Sequence, residues 1–188
     1  MKEIIAAITA YQPITPQEVT DKKLFLEKIQ YQKNLLTREN KEYHFSSSAW
    51  VVNPNYTKTL MVFHNIYQSY AWTGGHADGM DNLLQVAKKE LVEETGITNY
   101  HEVTKTLFSF DILPVPAHYK NGEFVKAHYH INTTYLFEAP ENQNLQIKPD
   151  ENSDVRWINA ASLEQEVAEI AMQPYYRKLM NKAQKFKN

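Results

Sequence analysis

The stretch "GGHADGMDNLLQVAKKELVEETGI", Gly74 to Ile97, decides how the rest of the chain is read. Its second half has the spacing of an amphipathic helix running from about Asp81 or Asn82 to Thr95. Gly96 stands where a helix C′ residue is expected. Within that helix Glu90, Glu93 and Glu94 fall inside an arc of about 100°. Residues three and four apart are neighbours, so each like-charge pair costs roughly 0.2–0.5 kcal/mol. The partial negative charge at a helix C-terminus adds about 0.3–1 kcal/mol for each exposed acid. Local propensity alone gives no reason for three glutamates there.

Two compensations are available. Surface lysines could pair with the acids, as exposed ion pairs commonly do. Lys88, however, is on a different side of the helix, and Lys89 is one residue from Glu90, a spacing at which side chains do not face each other. A divalent cation removes the repulsion directly, and Mg²⁺ takes one or two protein carboxylates together with water and substrate phosphate. Leu84, Ala87 and Leu91 form an apolar stripe, while Leu83 and Val86 continue the acidic arc toward the helix start. The carboxylates are therefore expected at the rim of a packed face. Gly74, Gly75 and Gly79 are three of only five glycines, which predicts a tight loop that a ligand anion can approach closely.

The whole chain sets the limits of this reading. Its 188 residues suit one domain with an added helix or two, and 43% hydrophobic and 22% charged residues are ordinary globular values. A formal charge of −2 gives no general attraction to nucleic acid or to anionic lipid. The absence of cysteine excludes disulfides, thiolate zinc sites and a cysteine nucleophile. "MKEIIAAITAYQPIT" carries Glu3 and too short an apolar run for a signal core, so a cytoplasmic protein without membrane spans is expected.

Elements elsewhere follow from local signals. "ITPQEVTDKKLFLEKIQYQKN" offers Thr15 as N-cap, Pro16 at the first helical position and Glu18 to close a capping box, predicting a helix of about five turns. Its apolar positions Val19, Leu24, Leu26 and Ile29 are sparse, as in a helix lying on a core. "SSSAWVV" and "KTLMVFHNI" around "NPNY" read as a β-hairpin. "VTKTLFSFDILPV", "FVKAHYHINTTYLFEA" and "DVRWI" read as further strands. "ASLEQEVAEIAM" and "PYYRKLMNKAQKFK" read as two closing helices, the second opened by Pro174. Strands and helices mix along the chain, so a sheet covered by helices is expected.

The central stretch resembles the Nudix box. Gly75 is followed by five residues, Asp81, seven residues, Lys89, and then Glu90, Leu91, Val92, Glu93, Glu94, Thr95, Gly96 and Ile97. The constrained positions of the motif match except at two, where Asp81 replaces Glu and Lys89 replaces Arg. Lysine lacks the planar fork with which arginine orients a carboxylate. The resemblance implies an α/β/α sandwich with a mixed sheet, as a single domain over 1–188. Its core would span about 46–172, with a helical extension at about 15–35 and a C-terminal helix at about 174–186. It implies Mg²⁺, or alternatively Mn²⁺, held by Glu90, Glu94, Glu93 and the carbonyl of Gly74. Catalytic roles would fall to Glu93, Glu90, Lys89 and, from the loop before the last strand, Glu151, with Asp150 and Asp154 as competitors. The implied activity is hydrolysis of a phosphoanhydride in a nucleoside diphosphate linked to another group.

Gly75, His76 and Trp72 are the substrate-binding candidates, and Tyr129 is a further aromatic with core packing as its alternative role. Pro114 and Pro116 follow the box where some relatives carry a proline, without a spacing that decides the match. His128 and His130 share one strand face, but a zinc site needs a third ligand that the sequence does not supply, so local hydrogen bonding or cleft lining is expected. The partner is then a small nucleotide derivative, with neither nucleic acid nor membrane, and a homodimer is compatible. Isopentenyl diphosphate isomerase shares the implied fold but needs a cysteine. A non-catalytic Nudix domain that senses a nucleotide is the alternative function.

Overall fold

The computed structural model describes residues 1–120 and 122–187. In chain order, α1 (Lys2–Ala10) and α2 (Pro16–Glu27) precede β1 (Tyr43–Val52), β2 (Lys58–His64), β3 (Ser69–Ala71) and β4 (Thr73–His76). Next come α3 (Leu83–Thr95), β5 (His101–Glu102), β6 (Ser109–Val115), β7 (His118–Lys120), β8 (Glu123–Val125) and β9 (His128–Glu138). The described residues end with β10 (Asn152–Asn159), α4 (Leu163–Glu166) and α5 (Gln173–Ala183). The class is mixed α/β, with one large sheet and a separate β7–β8 ribbon. The main-chain N–H of Tyr129 donates to Glu42 O at 2.8 Å and that of Ala139 to Val52 O at 3.0 Å. Numbering thus rises together along β1 and β9, which run parallel, while β2 pairs antiparallel with β1, β3 and β10. The sheet is mixed, as expected.

The chain divides into two compact units: Met1–Ser48, Gly74–Ala87 and Thr106–Tyr135 form the first, and Ala49–Thr73, Lys88–Lys105 and Leu136–Asn188 the second.

In the first unit, Thr15 Oγ1 accepts from the Glu18 N–H at 3.2 Å, as the cap predicts. The reciprocal half of the box is displaced by one residue, because Glu18 accepts from the N–H of Ile14 at 2.7 Å. The helix is shorter than five turns: α2 ends at Glu27 and a 3₁₀ turn, Ile29–Tyr31, follows. Its anchor is Phe25, fully buried and edge-on to Phe45 and Phe110, while Val19 is exposed. Helix α1 was not foreseen. It buries Ile4 and Ile8, and Lys22 Nζ donates to the Thr9 and Tyr11 carbonyls at its end. Strand β6 pairs antiparallel with β9 from Ser109↔Thr134 to Val115↔His128.

In the second unit, β10 lies along β2 from Asn159↔Lys58 to Asn152↔His64. "ASLEQEVAEIAM" forms only the four residues of α4, after a 3₁₀ turn. Gln173 Nε2 donates to the Glu164 and Val167 carbonyls, each at 2.9 Å, and the chain turns extended at Val167. Pro174 is the second residue of α5, where the N–H that proline lacks would have no intrahelical partner. Tyr176 of α5 is buried and stacks on Trp50 at 5.8 Å.

Candidate functional site

The second half of α3 belongs to the second unit and carries the glutamates. Glu90 and Glu94 are buried, Glu93 is exposed, and Leu91 between them is fully buried. The buried positions of α3 are Leu83, Val86, Ala87, Glu90, Leu91, Glu94 and Thr95, so Glu90 and Glu94 are on the packed face rather than at its rim. Leu84, expected in that stripe, is only half-buried.

One carboxylate oxygen each of Glu90, Glu94 and Glu151 lies within 4.8 Å of the others. Of the three acids named for the loop before the last strand, Glu151 is the one in this cluster. Its turn is held from several directions. The Glu151 N–H donates to Lys148 O at 2.8 Å, and Asn65 N–H donates to Glu151 O at 2.9 Å. Asn65 Nδ2 donates to the neighbouring Pro149 carbonyl at 3.0 Å. Asn152, wholly buried, donates from Nδ2 to Glu94 O at 3.1 Å and accepts from the Lys148 N–H at 3.1 Å. The turn bearing Glu151 is thus tied to the last turn of α3. A second tie is the Gln146 N–H to Thr95 O at 2.9 Å. Gly96, at φ 72°, ends the helix as its C′ position predicts.

Lysines do more here than the helix spacing suggested. Lys89 Nζ is 3.3 Å from Glu90 Oε1 and 3.1 Å from Glu93 Oε2, so its flexible stem reaches the adjacent glutamate after all. Lys148 Nζ lies 3.2 Å from both Glu93 Oε2 and Glu151 Oε1. Lys88 is engaged elsewhere, on Glu102. Burial pushes the Glu90 carboxyl up from its ordinary range despite Lys89. The hydrogen bond from Lys89, joined by that from Lys148, holds Glu93 below its ordinary range. Burial pulls Lys148 down, but its bonds to Glu151 and Glu93 outweigh this and raise it. Four carboxylates and two ammonium groups give the cluster a formal −2, which one divalent cation would balance. The donors are hard oxygens, which fit Mg²⁺ or Mn²⁺ and not a thiolate-preferring ion.

Trp72, also in the second unit, packs edge-on against Tyr176 at 5.2 Å. Gly74, Gly75 and His76 belong to the first unit, in strand β4 rather than in a loop. A Cβ on Gly74 would meet Ser48 Oγ at 2.6 Å, Ser47 O at 2.7 Å and Ser48 Cα at 2.9 Å. Close strand packing therefore accounts for this glycine. The loop proper follows, with Asp78 and Gly79 at positive φ and Asp78 gripped by Arg38 through two bonds of 2.9 Å. Asp81 is exposed.

Also in the first unit, His44, His76, His128 and His130 converge. His76 Nε2 and His128 Nε2 are each 3.2 Å from His130 Nε2. Burial, reinforced by the surrounding imidazoles, holds His130 well below the usual histidine range, and burial likewise lowers His44. Tyr129 stacks on Tyr43 at 5.2 Å and is exposed. Lys148, Asn152, Asn65 and His44 were not named from the sequence. Each is an ordinary polar residue until long-range pairing brings it to its partners.

A family model described as the NUDIX domain matches residues 30–180. No curated protein sequence gives a significant match. Among solved structures, a Caenorhabditis elegans Ap4A hydrolase binary complex is similar at 15% identity and a TM-score of 0.51, covering 75% of this chain and 95% of that one. The Nudix hydrolase RenU from M. smegmatis is similar at 12% identity and a TM-score of 0.56, covering 76% and 86%. The Escherichia coli dihydroneopterin triphosphate pyrophosphohydrolase is similar at 12% identity and a TM-score of 0.54, covering 73% and 94%.

Proposed function

Since the chain belongs to the NUDIX domain family, we propose that it is a Mg²⁺-dependent hydrolase that cleaves a phosphoanhydride in a nucleoside diphosphate linked to another group. The observation that carries this reading is the convergence of Glu90, Glu94 and Glu151 within 4.8 Å. Two come from one helix, four residues apart, and the third comes from a turn fastened to that helix through Asn152.

In this reading Glu90, Glu94 and Glu151 hold the ion. When bound, Mg²⁺ supplies neutralisation of the diphosphate and a lowered pKa for attacking water. Glu90 and Glu93 are the residues that accept the proton of that water. Lys89 and Lys148 keep Glu93 ionised and so able to accept a proton. Lys89 orients Glu90 and Glu93 by single contacts from one ammonium, a looser grip than a guanidinium fork. A slower enzyme than one with arginine at this position is the expected consequence. Lys148 reaches both Glu93 and Glu151, so its ammonium is placed to be shared between these carboxylates and a phosphate.

The test is turnover with Mg²⁺ on a panel of nucleotide sugars, ADP-ribose, dinucleoside polyphosphates and nucleoside triphosphates. Ap4A and dihydroneopterin triphosphate join it because two of the similar structures are named for them. Metal-dependent release of a nucleoside monophosphate from one class supports the reading. Tight binding of one member with no turnover of any would instead make the domain a nucleotide sensor.

A further inference from the structure

The first unit contains a second cluster of metal-ligating side chains, chemically unlike the carboxylates. His44 of β1, His76 at the end of β4, and His130 of β9 each offer a ring nitrogen, and the three nitrogens lie within 4.8 Å of one another. The sequence supplied only the His128/His130 pair; the fold adds His44 and His76. The parallel pairing of β1 with β9 brings His44 alongside β9, with ring centres 5.0 Å from His130 and 4.8 Å from His128.

The tautomers are set from outside. His44 Nδ1 lies 3.0 Å from Asn40 O and His128 Nδ1 lies 2.8 Å from Lys126 O. A carbonyl only accepts, so both Nδ1 atoms carry hydrogen, and in the neutral ring Nε2 is left with its lone pair. A backbone carbonyl behind the far ring nitrogen is the usual outer support of a metal-bound histidine. His44 Nε2 is buried and has no hydrogen-bond partner among the described residues. An orphaned buried acceptor destabilises the fold unless something occupies it. His130 Nε2 sits 3.2 Å from two other Nε2 atoms, and its single proton could serve only one of them. With Zn–N bonds of about 2.0–2.1 Å, neighbouring nitrogens of a tetrahedral zinc site are about 3.3–3.4 Å apart. The His76–His130 spacing of 3.2 Å is close to that, and the His44 nitrogen lies within 4.8 Å of both.

We propose that His44, His76 and His130 form a three-imidazole site for Zn²⁺, with its fourth position open to water or to an anionic group. His128 Nε2 is 3.2 Å from His130 Nε2, which makes it a neighbour of the site. Imidazole nitrogens suit Zn²⁺ and other later first-row ions, while Mg²⁺ prefers oxygen. This site and the carboxylate cluster should therefore load with different metals, and its existence does not depend on the hydrolase reading.

The experiment uses the full chain without a polyhistidine tag, stripped with a chelator and titrated with Zn²⁺ against a competing chromophoric chelator. Co²⁺ is titrated in parallel and followed by its visible absorption. Wild type should take up one equivalent of Zn²⁺ per chain, and Co²⁺ should give the intense bands of a tetrahedral nitrogen-rich site. His76→Ala and His130→Ala should each weaken zinc at least about 10–100-fold, the loss seen for removing even an outer-shell partner. Glu94→Gln should leave zinc uptake unchanged, and excess Mg²⁺ should not displace it. Circular dichroism and melting of the stripped variants confirm that each is folded. A folded wild type that takes up no zinc equivalent overturns the proposal, as do folded histidine variants that bind zinc like wild type. Loss of zinc in Glu94→Gln would place the ion on the carboxylates and overturn it equally.

Discussion

The side-chain amide of Asn152 donates to the main-chain carbonyl of Glu94 at 3.1 Å, joining the last turn of α3 to the start of β10. A carbonyl at a helix end has no intrahelical partner. Asn152 supplies one while fixing the turn that presents Glu151. Asn152→Ala should cost about 1–3 kcal/mol by leaving that buried carbonyl unpaired. Because the turn loosens, the Mg²⁺ concentration giving half-maximal activity should rise more than the unfolding midpoint falls. Urea unfolding and a Mg²⁺ titration of turnover check the two effects on the same sample.

Gly74→Ala should destabilise the protein by about 1–3 kcal/mol, the usual scale of overpacking. Two of the atoms that a Cβ would strike, Ser47 O and Ser48 Cα, are backbone and do not swing aside. Thermal melting compares it with Gly79→Ala, whose new Cβ meets nothing within 4 Å and which suffers only the strain of its φ of 92°.

Glu90→Gln should raise the melting temperature of chelator-treated protein at pH 7. Burial raises the folded-state pKa of Glu90, so the native state binds more protons than the unfolded one between the ordinary glutamate pKa and the raised value. Its ionised carboxylate is therefore destabilising above that window. The advantage of the amide should shrink as pH falls through the raised pKa, and vanish below about pH 4. Melting curves against pH read this directly, and a lower melting temperature for the variant at pH 7 would refute it.

Lys148→Ala separates two roles of that lysine. Its ammonium neutralises Glu93 and Glu151 from 3.2 Å and so competes with a cation for them. Calorimetric Mg²⁺ binding should become several-fold tighter in the variant, since about 1 kcal/mol corresponds to fivefold. Weaker binding would mean that Lys148 chiefly holds Glu151 in place.

Much of this was legible in the sequence because its signals are local. The Thr15 cap, the β1–β2 hairpin, the Gly96 terminus and the box all follow from residues within a few positions of one another. Helix α1 was missed because "KEIIAAITA" has no capping residue, only an apolar face that α1 buries through Ile4 and Ile8. The length of α4 was overestimated because Gln173, from outside the segment, takes up its carbonyls. The Lys89–Glu93 contact is an ordinary i,i+4 pair overlooked in weighing Lys89 against Glu90 alone, and the Lys89–Glu90 contact arises because a lysine stem bends back to its neighbour. Nothing near His44 in the sequence distinguishes it, and the pairing of β1 with both β9 and β4 brings it to the other histidines.

Turnover of Glu94→Gln in saturating Mg²⁺ bears most directly on the role of the carboxylate cluster. The amide keeps the shape of the buried side chain and removes the charge, so the fold should persist by circular dichroism. The rate should fall at least about 10²–10³-fold, the scale of losing one electrostatic contact to the transition state. A folded Glu94→Gln that hydrolyses the substrate at the wild-type rate, with the same Mg²⁺ dependence, would show that the ion and the chemistry are elsewhere.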